Sequence, residues 1–159
     1  MKKLLLITVA LLGFTFASNA QDIANNALGL RLGDSNGVGA EISYQHALGS
    51  NNRLEVDLGW RDGKNYDGFK LAGLYQWVWN IDGGFNWYAG VGAGLSSFTG
   101  KNEKEGNDST SFFASGDIGI EYNFAIPLLI SLDFRPEIGS NEYYNNANFD
   151  IALGIRYQF

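Results

Sequence analysis

Asn148-Phe149-Asp150-Ile151-Ala152-Leu153-Gly154-Ile155-Arg156-Tyr157-Gln158-Phe159 is the stretch whose reading decides the fold. Phe149, Ile151, Leu153, Ile155, Tyr157 and Phe159 are apolar, while Asp150, Ala152, Gly154, Arg156 and Gln158 between them are small or polar. Period-two alternation of this kind marks a β-strand with two unlike faces. A strand with a greasy face and an unpaired edge invites aggregation unless other surfaces cover both. Closure onto the first strand, with lipid against the apolar face, provides that cover.

The opposite end has a different build. Met1-Lys2-Lys3 is positive, Leu4 to Ala17 is an apolar core of fourteen residues, and Ser18-Asn19-Ala20 offers small residues for cleavage. This predicts a secretory signal peptide over residues 1–20, removed after Ala20, with a core too short for a membrane anchor. No cysteine follows it, so the lipoprotein route is closed. Residues 21–159 suffice for one domain.

Removing Lys2 and Lys3 from the eleven basic residues leaves nine against seventeen acidic ones, a net charge of −8. Such a chain is a poor nucleic-acid partner, because the phosphate backbone repels it. The absence of cysteine excludes disulfides, thiol catalysis and thiolate metal sites. Twenty-one glycines against two prolines, without collagen periodicity, do not describe a linker. After the leader no apolar run is long enough for a transmembrane helix.

Eight strands are predicted: 27–33, 38–48, 53–61, 68–79, 85–98, 111–124, 128–138 and 148–159, separated by turn-rich pieces. An even count with short hairpins fits an antiparallel up-and-down barrel. The third strand sets Leu54, Val56, Leu58 and Trp60 against Arg53, Glu55, Asp57 and Arg61. The seventh sets Leu128, Ile130, Leu132 and Phe134 against Leu129, Ser131, Asp133, Arg135 and Glu137, and the sixth sets Ile118, Ile120 and Tyr122 against Asp117 and Glu121. Arg31, Glu41, Lys70, Asp150 and Arg156 likewise oppose the apolar residues of their own strands.

A soluble barrel alternates too, with its apolar face inward. The aromatic residues decide the direction. On the apolar parity, Tyr44, Trp77, Trp79, Phe85, Trp87, Tyr122, Phe124, Tyr157 and Phe159 collect at one rim. Trp60, Phe69, Phe98, Phe112, Phe134 and Phe149 collect at the other. Two aromatic belts around an aliphatic band are what two membrane interfaces select, so the apolar face is read as outward. With both ends of the mature chain in the periplasm, the two longest connections, 99–110 and 139–147, face outside, and the inner turns are short.

Gly154-Ile155-Arg156-Tyr157-Gln158-Phe159 resembles the terminal assembly signal of bacterial outer-membrane proteins: Gly154, then Tyr157, then a final Phe159. The polar residue usual two places before the glycine is replaced by Ala152. The whole mature chain is similar to the small outer-membrane β-barrel family of the OmpA/OmpX type. The resemblance implies an all-β, eight-stranded antiparallel transmembrane barrel in the bacterial outer membrane. It also implies contact with outer-membrane lipid and lipopolysaccharide, insertion by the barrel-assembly machinery, and a role in adhesion or envelope integrity.

Fourteen charged residues are expected to share the lumen: Arg31, Glu41, Arg53, Glu55, Asp57, Arg61, Lys70, Asp117, Glu121, Asp133, Arg135, Glu137, Asp150 and Arg156. An eight-stranded interior is about wide enough to be filled by side chains, so these groups read as a paired plug, with a narrow path for protons or small ions as the alternative. Gly90, Gly92 and Gly94 lie within a strand and lack a following helix, so they read as room for inward neighbours such as Arg31 or Lys70 rather than a phosphate loop. Some barrels of the resembled family modify lipid A with a histidine near the outer leaflet. His46, the single histidine, falls on the lipid-facing parity at the lower rim, the wrong place for that substrate. No catalytic residue, metal set or cofactor is assigned. Tyr143 and Tyr144, in the last outer loop, are the candidate surface contacts for a partner the sequence does not identify.

Overall fold

The computed structural model describes residues 23–34, 38–62, 66–100, 109–139 and 148–159. The leader, Tyr143, Tyr144 and the side chains of Arg61 and Phe98 lie outside the described residues. Eight strands follow in order: β1 (Asn26–Asp34), β2 (Val38–Ala47), β3 (Asn52–Asp62), β4 (Tyr66–Asp82), β5 (Phe85–Gly100), β6 (Ser109–Asn123), β7 (Leu128–Gly139) and β8 (Asn148–Gln158). Each pairs antiparallel with its sequence neighbours, and β8 pairs with β1, so the sheet is a closed barrel without edges.

Register can be followed around the whole wall. From Leu95 the pairs run through Leu71, Leu58, Ile42, Leu30, Ile155, Ile130 and Tyr122 and return to β5 at Phe85, ten residues below the start. Every waypoint is an apolar residue on the outer face. A shear of ten over eight strands tilts them at about 40° to the axis and sets the backbone cylinder at a radius of about 8 Å.

The alternation predicted from sequence is the inside–outside alternation of this wall. Ile151, Leu153, Ile155, Tyr157 and Phe159 of the last strand are exposed, whereas Asp150 and Arg156 are about 1% exposed. Trp60, Phe69, Phe112 and Phe149 stand exposed toward the upper rim. Toward the lower rim Trp79 stacks on Trp87 at 4.4 Å, and Tyr122 meets Phe124 edge to face at 4.6 Å. Phe69 and Trp79 lie ten residues apart on β4, about 25 Å along the axis at this tilt, the height of the apolar band of membrane barrels.

Two details differ from the sequence reading. β4 runs on to Asp82 and turns through Gly83-Gly84, where Gly83 adopts a left-handed φ of 51° and Asn80 Nδ2 donates to the carbonyls of Gly83 and Phe85. The amide of Asn80 supplies the turn closure that short-range pattern alone does not reveal. Phe98, assigned above to the apolar parity, pairs with Gly68 one place beyond the outward pair Phe69–Ser97, so its position is on the lumen parity.

Candidate functional site

Alternation on eight tilted strands brings one polar residue in two to the axis, and the lumen is where the chemistry of this chain is concentrated. Thirteen of the fourteen charged residues assigned to it are buried there; Arg61 is the one whose side chain is not described. Arg31, Arg53, Lys70, Arg135 and Arg156 face Glu41, Glu55, Asp57, Asp117, Glu121, Asp133, Glu137 and Asp150. Burying so many charges is tolerable only where opposite charges meet with hydrogen-bonding geometry.

Arg135 is the hub. Its guanidinium bonds Asp57 at 2.6 Å and Glu55, and has Asp117, Asp133 and Glu41 within 3.5, 3.9 and 4.0 Å. Arg31 is shared by Glu41 and Asp150, each at 2.9 Å, and donates through Nε to Asp133 at 3.0 Å. Arg156 reaches Glu55 at 3.2 Å and donates to Ser43 and Ser131 at 2.9 and 2.8 Å. The fixed fork of guanidinium donors suits one cation to several carboxylates, which accounts for four arginines and one lysine in these places.

Two groups flank this centre. Toward the lower rim Arg53 pairs with Glu121 at 2.8 Å, donates to Gln76 at 2.6 Å and lies 4.8 Å over the Tyr88 ring. Asn86 adds a bond to Glu121 at 3.1 Å. Toward the upper rim Lys70 pairs with Glu137 and sits 5.0 Å over Phe113, which belongs to a small apolar cluster with Ala72 and Leu74. At the lower mouth, Ile23 and Ala24 lie beside Arg53, Glu121 and Gln158 around a cavity of about 10 Å³, room for one water.

Sequence reasoning missed Ser43, Gln45, Gln76, Asn86, Tyr88, Leu74 and Phe113, all buried in this interior. They share parity with the charges, so the same rule would have named them had uncharged residues been followed too. The neighbours served by the strand glycines also need correcting. A Cβ on Gly90, Gly92 or Gly94 would meet Gln76, Leu74 or Phe113 respectively, so those side chains, not those of Arg31 or Lys70, fill the room.

His46 is exposed on the outer face at the lower rim, its Nδ1 3.0 Å from Asn26 Oδ1. Among the described residues no cluster of histidine, aspartate and glutamate has a metal-binding arrangement.

Among solved structures, the chain is similar to the N-terminal β-barrel domain of Pseudomonas aeruginosa OprF. The match has 14% identity over 86% of this chain and 98% of that one, with a TM-score of 0.74. It is similar to Neisserial surface protein A at 12% identity, 84% and 94% coverage and a TM-score of 0.63. A third is Ail of Yersinia pestis, an attachment invasion locus protein solved with the heparin analogue sucrose octasulfate, at 14% identity, 84% and 96% coverage and a TM-score of 0.55. No protein-family model and no curated protein matches the chain. At these identities the likeness is one of fold, and the fold is that of small eight-stranded outer-membrane barrels.

Proposed function

We propose that this chain is an integral outer-membrane barrel without enzymatic activity, which supports the envelope and meets other surfaces through its outer loops. The packed lumen carries this reading: a cross-linked ion-pair core makes a rigid strut, not a duct or an open cleft. Its partners on this view are outer-membrane lipid, lipopolysaccharide and the barrel-assembly machinery, the last reading Gly154, Tyr157 and Phe159. His46, at the lower rim and bonded to Asn26, lies away from the outer leaflet where lipid A chemistry would take place.

Tyr143 and Tyr144 are the favoured contact residues, since tyrosine gives broad contact area at low entropic cost. Sulfated polyanions of the kind seen with Ail do not suit these loops. Lys101 and Lys104 are outnumbered by Glu103, Glu105 and Asp108, and Glu142 has no basic companion between 139 and 147. The test compares adhesion of cells producing the protein, its Y143A/Y144A variant, or neither. Lost adhesion with normal assembly is expected; adhesion equal to wild type removes the loop assignment.

A second reading, a narrow cation path, is favoured by one observation. The lumen holds eight carboxylates against five cations among the described residues, a field that would admit cations over anions if the ion pairs parted.

A further inference from the structure

The lumen holds more acid than base, and the surplus is concentrated at its centre. The flanking pairs Arg53–Glu121 and Lys70–Glu137 are each balanced. Between them, among the described residues, Arg31, Arg135 and Arg156 serve Glu41, Glu55, Asp57, Asp117, Asp133 and Asp150. Counting Arg61 from the sequence as a sixth lumenal cation still leaves eight carboxylates against six cations in all. Uncompensated charge in a dry interior is too costly to persist, so the surplus must be neutralised.

Hydrogen bonding shows where the surplus falls. Arg31 carries Glu41, Asp133 and Asp150, and Arg156 carries Glu55. Arg135, which also bonds Glu55, faces Asp57 and Asp117 with different nitrogens of one guanidinium. Its Nη1 lies 2.6 Å from Asp57 Oδ2, whereas its Nε lies 3.5 Å from Asp117 Oδ1 without forming a hydrogen bond. Asp117 Oδ2 is held by a neutral donor, Gln76 Nε2. Asp57 Oδ1 and Asp117 Oδ1 are buried and have no hydrogen-bond partner. The Tyr88 hydroxyl, also buried and unpartnered, lies within coulombic range of Asp117, Asp133 and Glu55. The charges acting on Asp57 are those of Glu55, Arg135, Glu41 and Arg156, and on Asp117 those of Arg135, Glu55 and Asp133. Arg31, Lys70 and Asp150 act one step further out, on Glu41. A bare carboxylate oxygen among other carboxylates is repelled by them; with a proton it becomes a hydroxyl that the same acceptors attract. No group of described acids has a metal-binding arrangement, which leaves the proton as the neutralising species.

We propose that Asp57 and Asp117 form a proton-binding site around Arg135, taking up two protons in the folded barrel at neutral pH. The site rests on the dry lumen proposed above. The unfolded chain binds neither proton at that pH, because free aspartates ionise at about pH 4. The native state therefore holds up to two more protons than the unfolded state, and stability falls as pH rises toward their release. Release sets the surplus charge free beside Arg135 and loosens the plug at its hub.

Infrared spectroscopy of the protein folded in maltoside micelles, which contain no carbonyl, reads the site directly. A carboxylic acid has a C=O stretch set apart from those of carboxylate and amide. At pH 7 the wild type is expected to show this band at the intensity of about two groups, and alkali to remove it reversibly. D57N/D117N should lose it, while asparagine keeps the donor and acceptor of the protonated acid in place. Urea unfolding is the second readout. The unfolding constant of the wild type should rise by up to about a hundredfold per pH unit across the range of release, and that of the variant by less. No band at pH 7 from a barrel that keeps its heat-modifiable migration, or a band unchanged in D57N/D117N, would overturn the site. A band that is present but exchanges at once in deuterium oxide would uphold the site and count against the dry lumen.

Discussion

Arg135 on β7 donates to Asp57 on β3 at 2.6 Å, directly across the lumen and between residues 78 positions apart. β3 and β7 lie on opposite sides of an eight-stranded ring, so this bond ties the barrel through its axis. From Arg135 the network reaches Glu41 on β2 and Asp117 on β6, and runs on through Glu41 to Arg31 on β1 and from there to Asp150 on β8.

Replacing Arg135 by methionine keeps an unbranched but shorter stem and removes the charge, leaving Asp57 without its cation and Glu55 with Arg156. Loss of one partner from a buried ion pair costs roughly 3–5 kcal/mol. Urea unfolding in micelles, followed through the four tryptophans, should show a loss of that size. A loss below about 1 kcal/mol, the value of an exposed pair, would mean that the lumen is wet.

Planar bilayer recordings test the plug. The intact barrel is expected to show no sustained conductance, because Arg135 on β7 bonds Asp57 across the axis and Arg31 on β1 joins Glu41 on β2 to Asp133 on β7. Among the described residues the R31A/R135A double variant leaves eight carboxylates against Arg53, Lys70 and Arg156 and should open a small cation-selective conductance. Steady conductance from the unaltered protein would favour the pore reading.

Gly119 lies directly under the Tyr88 ring, and a Cβ there would collide with Cζ and approach the Leu132 carbonyl oxygen to 2.8 Å. G119A should therefore destabilise the barrel by about 1–3 kcal/mol through overpacking. Because the phenol is the closer obstacle, adding Y88L should recover part of that loss. No recovery would assign the strain to the Leu132 backbone instead.

The β1–β8 seam has no slack at Gly29, where a Cβ would run into the Ile155 carbonyl oxygen. Phe159 closes the same seam through backbone bonds to Asn26 of 2.9 and 3.1 Å. G29V and deletion of Phe159 are both expected to lower the yield of folded barrel. G73V is the control, since a Cβ at Gly73 meets nothing within 4 Å. If all three chains assemble equally, seam closure is not limiting.

The wall was legible in the sequence because one face must meet lipid and the other must not. That contrast reads residue by residue, as in Leu54, Val56 and Leu58 against Arg53, Glu55 and Asp57. Pairing was not legible. Nothing in the alternation tells Arg31 to choose Glu41, Asp133 and Asp150, since those contacts follow from a shear of ten that only the closed ladder defines. Tyr88, Leu74 and Phe113 escaped for a different reason: inward apolar residues look like errors of parity until glycines at 92, 94 and 119 are seen to leave space for them.

Electrophoretic migration of fractionated membranes, with and without boiling, addresses the central claim that the apolar face looks outward into lipid around a packed polar lumen. The protein is expected to lie in the outer-membrane fraction, to run as a compact species when unboiled, and to shift on boiling. A soluble periplasmic protein whose migration ignores boiling would contradict it, because a wall with Ile151, Leu153 and Ile155 outward cannot stay dispersed in water.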